Sequence, residues 1–109
     1  MNDGPLLIGD IGGTNARFAL AGADKVGFEN AMTLQCAEFT SSIEAIRHYL
    51  GEVNAPSPAV VCLAAAGPVI DESISVTNNH WTLSMAEIRR ELGVSASKVI
   101  NDFEAVAWS

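Results

Sequence analysis

The chain has 109 residues, 49% hydrophobic and 17% charged, and its 13 acids against 6 bases leave a net charge of −7. That composition fits a globular core rather than disorder, one domain of this length buries roughly two thirds of its unfolded surface, and the acidity argues against nucleic acid or an anionic membrane as partner. The sequence shows no leader-like segment and no apolar run of membrane-spanning length, so a cytoplasmic location is the expectation.

Residues 6–21, LLIGDIGGTNARFALA, place two apolar runs rich in strand formers around a Gly-Gly-Thr turn, which predicts a β-hairpin. Asp10 ends the first run, where an inward carboxylate is costly without a partner. Gly12 and Gly13 let backbone N–H groups approach a ligand closely, adjacent amides there can form an anion nest, and Thr14 adds a hydroxyl. An acid beside an amide-lined turn suits a nucleotide's phosphates and their magnesium, which need neither Lys nor Arg. The same residues also suit an ordinary hairpin, with glycines at positive φ and an Asp in the turn. The pattern is neither the G-K-[ST] phosphate loop nor G-x-G-x-x-G.

Residues 22–27 read as a turn and 28–34 as a third strand completing an antiparallel meander. Cys36 and Cys62 are isolated in apolar surroundings and read as two buried thiols rather than a disulfide or a metal site. Ser41 and Glu44 have capping-box spacing, and Ile43, Ile46, Leu50 and Val53 recur at helical spacing. They predict an amphipathic helix over 42–50 ended by Gly51, with Arg47 and Glu52 in solvent. Two prolines break the chain over 54–58. Residues 59–66 are apolar throughout, the pattern of a strand covered on both sides.

Gly67 and Pro68 turn the chain into a strand over 69–77, followed by a polar turn at 78–81. His80 has no second His at ligand spacing, so zinc is not supported, and Trp81 and Trp108 read as packing residues. Ser84 and Glu87 form a second capping box for a helix with Met85, Ile88 and Leu92 on one face. Arg89 and Arg90 suit its last turn and Gly93 its end. Residues 98–101 form a short strand, and 102–109 begin a helix that has no stop signal. The fold class is α/β: three antiparallel strands, then alternating helices and parallel strands, in a mixed sheet with helices on its faces.

Asn101 and Asp102 fall at the carboxyl end of a strand, where open α/β sheets hold their ligands. Asp102 could take a proton from a substrate hydroxyl as that oxygen attacks phosphorus, and Asn101 could hydrogen-bond sugar hydroxyls. Both residues are also preferred helix N-caps, with Glu104 at cap-like spacing, and the two roles can coexist. Asn78 is open between a turn position and a site.

Three segments, GDIGGTNAR at 9–17, Thr77-Asn78 with Trp81, and INDFEAVA at 100–107, resemble the bacterial glucokinases over about residues 6–108. The resemblance implies the ribonuclease-H-like fold shared by sugar kinases, heat-shock ATPases and actin. It also implies transfer of the γ-phosphoryl group of ATP to the 6-hydroxyl of glucose, with magnesium. Gly9, Asp10, Ile11, Gly12, Gly13, Thr14 and Asn15 would then form the nucleotide-binding segment, Asp10 acting on Mg2+ indirectly. Asn101, Asp102 and Asn78 would bind glucose, and Asp102 would be the catalytic base.

On this resemblance residues 1–109 are a truncated small domain, inactive without a larger C-terminal domain, from a glycolytic enzyme whose family often forms homodimers. Two rivals stand beside it. A sugar-sensing repressor of the related repressor–kinase family would open with a basic helix-turn-helix, which these residues do not show. A non-catalytic α/β interaction module would use the same acids as caps.

Overall fold

The computed structural model describes residues 4–21, 29–77 and 79–101. In chain order its elements are β1 (Leu6–Ile11), β2 (Asn15–Ala21), β3 (Glu29–Gln35), a 3-10 turn (Cys36–Glu38), α1 (Ser42–Glu52), β4 (Val60–Ala65), β5 (Val69–Ile70), β6 (Ser73–Ser75), β7 (Thr82–Ser84), α2 (Met85–Leu92) and β8 (Ala96–Asn101). A five-stranded sheet has the order β3-β2-β1-β4-β8, and β5-β6-β7 form a second, three-stranded sheet. β1 pairs antiparallel with β2 and parallel with β4, β2 pairs antiparallel with β3, and β4 pairs parallel with β8. The expected meander followed by parallel strands is therefore present. The helix expected from residue 102 lies outside the described residues, as do the turn at 22–27 and residue 28.

Period-two alternation sets the core. Leu7, Ile11, Ala16, Phe18, Val61, Leu63, Ala65 and Val99 line one face of the large sheet and join Ile43, Ala45, Ile46, Tyr49, Met85 and Ile88 of the two helices in one buried cluster. Gly9 lies in the middle of that face. A Cβ there would sit 2.7 Å from Leu63 and 2.9 Å from Phe18, so this position is filled by its neighbours. β4 departs from expectation: Val60, Cys62 and Ala64 are half-exposed, because both described helices pack on the opposite face. Cys62 is accordingly half-buried, whereas Cys36 is buried, and both are free thiols.

Both capping boxes are formed at their N-cap serines, Ser41 accepting the Glu44 N–H and Ser84 that of Glu87. Gly93 closes α2 in the left-handed conformation at φ 67°. Gly51 does not end α1. The helix runs to Glu52, and the left-handed residue is Asn54 at φ 54°, with Asn54 N–H bonded to Gly51 O and Ala55 N–H to Leu50 O. That pair of bonds is the Schellman arrangement, for which Asn substitutes for Gly. Tyr49, absent from the expected helix face, is fully buried against Phe18 with ring centroids 5.5 Å apart. Its hydroxyl donates to Asn30 O at 2.7 Å, and burial pushes its phenol pKa up.

The expected strand over 69–77 is instead a hairpin. Asp71 and Glu72 both adopt positive φ, 51° and 60°, giving a two-residue turn between β5 and β6, and β7 then pairs with β6. The strand expected at 98–101 starts earlier, at Ala96. No helix among the described residues is long and apolar enough to cross a membrane.

Since each cap serine satisfies a helix-terminal N–H, Ser41→Ala and Ser84→Ala should each lower stability by about 1 kcal/mol. Urea unfolding should show this as a lower midpoint at unchanged slope.

Candidate functional site at the carboxyl edge of the sheet

The parallel register aligns Ile11 of β1 with Ala65 of β4, and Ala65 with Asn101 of β8. Three strand ends therefore share one edge, and the Gly12-Gly13-Thr14 turn, the Ala66-Gly67 bend and the Asn101 side chain lie along it. Ligands of open α/β sheets collect at such an edge. Asn101 is half-buried there, and its Nδ2 donates to Gly67 O at 2.6 Å. Gly67 has φ +142°, and a Cβ on it would approach Ser75 O at 2.5 Å.

The turn is exposed at Gly12, Gly13, Thr14 and Asn15. Gly12 N–H donates to Asn15 O at 2.8 Å, and Cys36 N–H donates to Thr14 O at 2.9 Å. Positive φ among the described glycines occurs at Gly67 and Gly93, so the Gly-Gly pair serves close approach rather than left-handed backbone. A Cβ on Gly12 would sit 3.3 Å from Asn15 O. The amides of Gly13 and Thr14 have no acceptor among the described residues. They remain available to an anion.

A loop between β6 and β7 braces this turn. Asn79 Nδ2 donates to Gly12 O at 2.9 Å, while Asn79 Oδ1 accepts the Trp81 N–H at 2.8 Å. Phe39 O accepts twice, from His80 Nε2 at 2.9 Å and from Trp81 Nε1 at 3.1 Å. Trp81 is 2% exposed, a packing residue as expected. At the loop's base Thr77 N–H donates to Ala66 O and Val76 N–H to Trp81 O. A cleft of about 350 Å³ opens between the turn and the loop, lined by Gly13, Thr14, Cys36, Ala37, Asn79 and His80.

Asp10 is exposed, on the sheet face away from the core and directly opposite Arg17 across the strand pair. Alternation puts Leu7, Gly9 and Ile11 inside and Asp10 outside, so its carboxylate meets no burial cost. Gly9 and Ile11, expected in the nucleotide-binding segment, are buried on the core face beneath the turn. Asn78 and Asp102 lie outside the described residues. Asn79 is the residue that sequence reasoning misses as a functional candidate. Its signal is local: an Asn side chain bonding the N–H two residues on is a common turn device.

The donor set of this exposed turn, two amides without an acceptor among the described residues and a threonine hydroxyl, fits a phosphate group. Among the described residues no three His, Cys, Asp or Glu side chains are placed to hold a metal. One exposed carboxylate suits a water-mediated contact to a magnesium ion that phosphates carry in, since that ion keeps several waters.

This architecture is that of the sugar kinases. The chain superposes on the solved glucokinase of an Antarctic psychrotroph with a TM-score of 0.85 at 40% identity, over 99% of this chain and 35% of that one. The glucokinase of Balamuthia mandrillaris, solved in complex with glucose, superposes with a TM-score of 0.66 at 30% identity, over 96% of this chain and 31% of that one. The sequence profile of the glucokinase family matches residues 7–109, and the chain belongs to that family. The glucokinase of Chromohalobacter salexigens is 50% identical over 103 residues, covering 94% of this chain. The chain spans 31% to 32% of the length of its curated relatives.

Gly67 couples backbone conformation to the Asn101 contact. Gly67→Ala should therefore destabilise the chain by about 2 kcal/mol, from left-handed strain and collision with Ser75 O. Loss of the urea midpoint, with the far-ultraviolet spectrum retained, would measure it.

Proposed function

We propose that the protein carrying this chain is a cytoplasmic glucokinase that phosphorylates glucose at its 6-hydroxyl, with ATP as phosphoryl donor and magnesium as cofactor. One observation supports the reading most: the register that brings an amide-lined turn and Asn101 to a single sheet edge. In this reading the amides of Gly13 and Thr14 and the Thr14 hydroxyl hold the terminal phosphates. Magnesium would neutralise charge on those phosphates, and Asp10 would orient its water shell.

Asn101 would present its side chain to the sugar from a position fixed by Gly67 O, and Asn78 would add a contact in the same pocket. Asp102 would accept the proton from the sugar hydroxyl as the new O–P bond forms. Residues 1–109 serve here as the small domain. The remaining length of the relatives would complete the sugar and adenosine sites, and pairing of two copies belongs to the same proposal. Phosphoryl transfer depends on positioning between closing surfaces, so the isolated chain should not turn over.

A coupled assay for glucose 6-phosphate, run on residues 1–109 and on a protein of the relatives' full length, tests the reading. Activity is expected in the longer protein alone. There, Asp102→Asn should lower kcat by about 10²–10⁴-fold, as expected for loss of a general base. A residue that merely caps a helix would tolerate the same change, because Asn caps as well as Asp.

A further inference from the structure

The Gly12–Gly13 peptide has glycine on both sides, so side-chain sterics do least to hold its plane. A trans peptide points its C=O and the following N–H in opposite directions. Whatever fixes the Gly12 carbonyl therefore also aims the Gly13 N–H. In this structure Asn79 Nδ2 fixes it, at 2.9 Å. Cys36 Sγ lies 4.0 Å from the same oxygen, and a thiol is a weak donor.

The orientation of the Asn79 amide follows from its partners. A backbone N–H can only donate, so the Trp81 N–H requires the Asn79 oxygen, and the nitrogen must face Gly12 O, which can only accept. Trp81 in turn is anchored in the core and by its indole bond to Phe39 O. The brace runs from buried tryptophan to exposed turn through one side chain.

We propose that Asn79 is a positioning residue for nucleotide binding: it locks the Gly12–Gly13 peptide with the Gly13 N–H turned away from the Asn79 side chain, in the orientation in which that amide would donate to a phosphate. Without the brace the peptide can flip and present a carbonyl oxygen to an anion, which repels it. The inference rests on the nucleotide-binding reading of the turn. It assigns Asn79 an effect on nucleotide affinity without contact to the nucleotide.

The test uses the full-length protein. Asn79→Asp keeps an oxygen for the Trp81 N–H and sets a carboxylate oxygen against Gly12 O. Asn79→Ser, the second variant, retains a side-chain oxygen for Trp81 but cannot reach Gly12. The expected result is a rise of about tenfold in the KM for ATP and in the Kd of a non-hydrolysable ATP analogue, the loss of one hydrogen bond's worth of ordering, with the KM for glucose within about twofold. Unchanged nucleotide constants in an active protein overturn the inference alone. Equal rises for ATP and glucose, or unfolding of both variants, assign Asn79 a general structural role and also overturn it. A wild-type protein without ATP-dependent glucose phosphorylation overturns the functional reading, and this inference with it.

Discussion

β1 carries hydrogen bonds of two kinds, antiparallel to β2 on one side and parallel to β4 on the other, and the site depends on that dual pairing. The antiparallel partner can be reached through a short turn, which puts Gly12 to Thr14 at the strand's carboxyl end. The parallel partners need long crossovers, which α1 and the segment through α2 supply, and they bring their own carboxyl ends to the same edge. Residues as distant in sequence as Gly12 and Asn101 become neighbours along one rim for that reason. Register is protected by its alternative. A slip of β1 by one residue would drive Asp10 into the apolar layer of Phe18, Val61 and Leu63 and expose Leu7 and Ile11.

The small sheet fastens this rim. Its connections to the rest of the edge end on backbone carbonyls: Gly12 O receives Asn79, Phe39 O receives His80 and Trp81, Ala66 O receives Thr77 N–H, and Gly67 O receives Asn101. Any residue can supply a carbonyl, so identity matters on the donor side, and at Gly67, where conformation excludes a side chain. The hairpin of β5 and β6 is tied from below by Arg89, which pairs with Glu72 and also donates to Ser97. That ion pair is largely exposed, so its contribution is small, whereas Ser97 ties β8 to α2 twice, accepting from Arg89 and donating to Met85 O.

Features set by neighbouring residues were legible in the sequence. Ser41 and Ser84 with their partners three residues on marked both helix starts, Gly93 marked a helix end, and two apolar runs around a Gly-Gly-Thr turn marked the central hairpin. Features set by tertiary partners were not. Gly51 looked like a stop, but the terminating geometry went to Asn54, which Ala55 and Leu50 complete. The turn at Asp71 and Glu72 lacks the glycine that usually announces two consecutive left-handed residues. Tyr49 carries a polar atom and was passed over for the core, although Asn30 O satisfies it there. At the candidate site the glycine turn was visible as a pattern, whereas the brace by Asn79 required a contact across 67 positions of sequence.

The proposed function asks an acidic chain to host a phosphate group, and an amide-lined turn would let the two coexist. Repulsion from a net charge of −7 is spread over the whole surface and is screened within about 8 Å at physiological salt. Attraction at the turn is local: fixed amide dipoles at hydrogen-bond distance, where little water intervenes. A rim built on backbone groups keeps the strength of that attraction independent of how many acids lie elsewhere. It also makes the attraction conditional on amide direction, because a peptide dipole turned through half a circle changes sign. Lysine would tolerate a loose loop; two glycines do not, and the rigidity they lack comes from Asn79 and the buried Trp81 behind it.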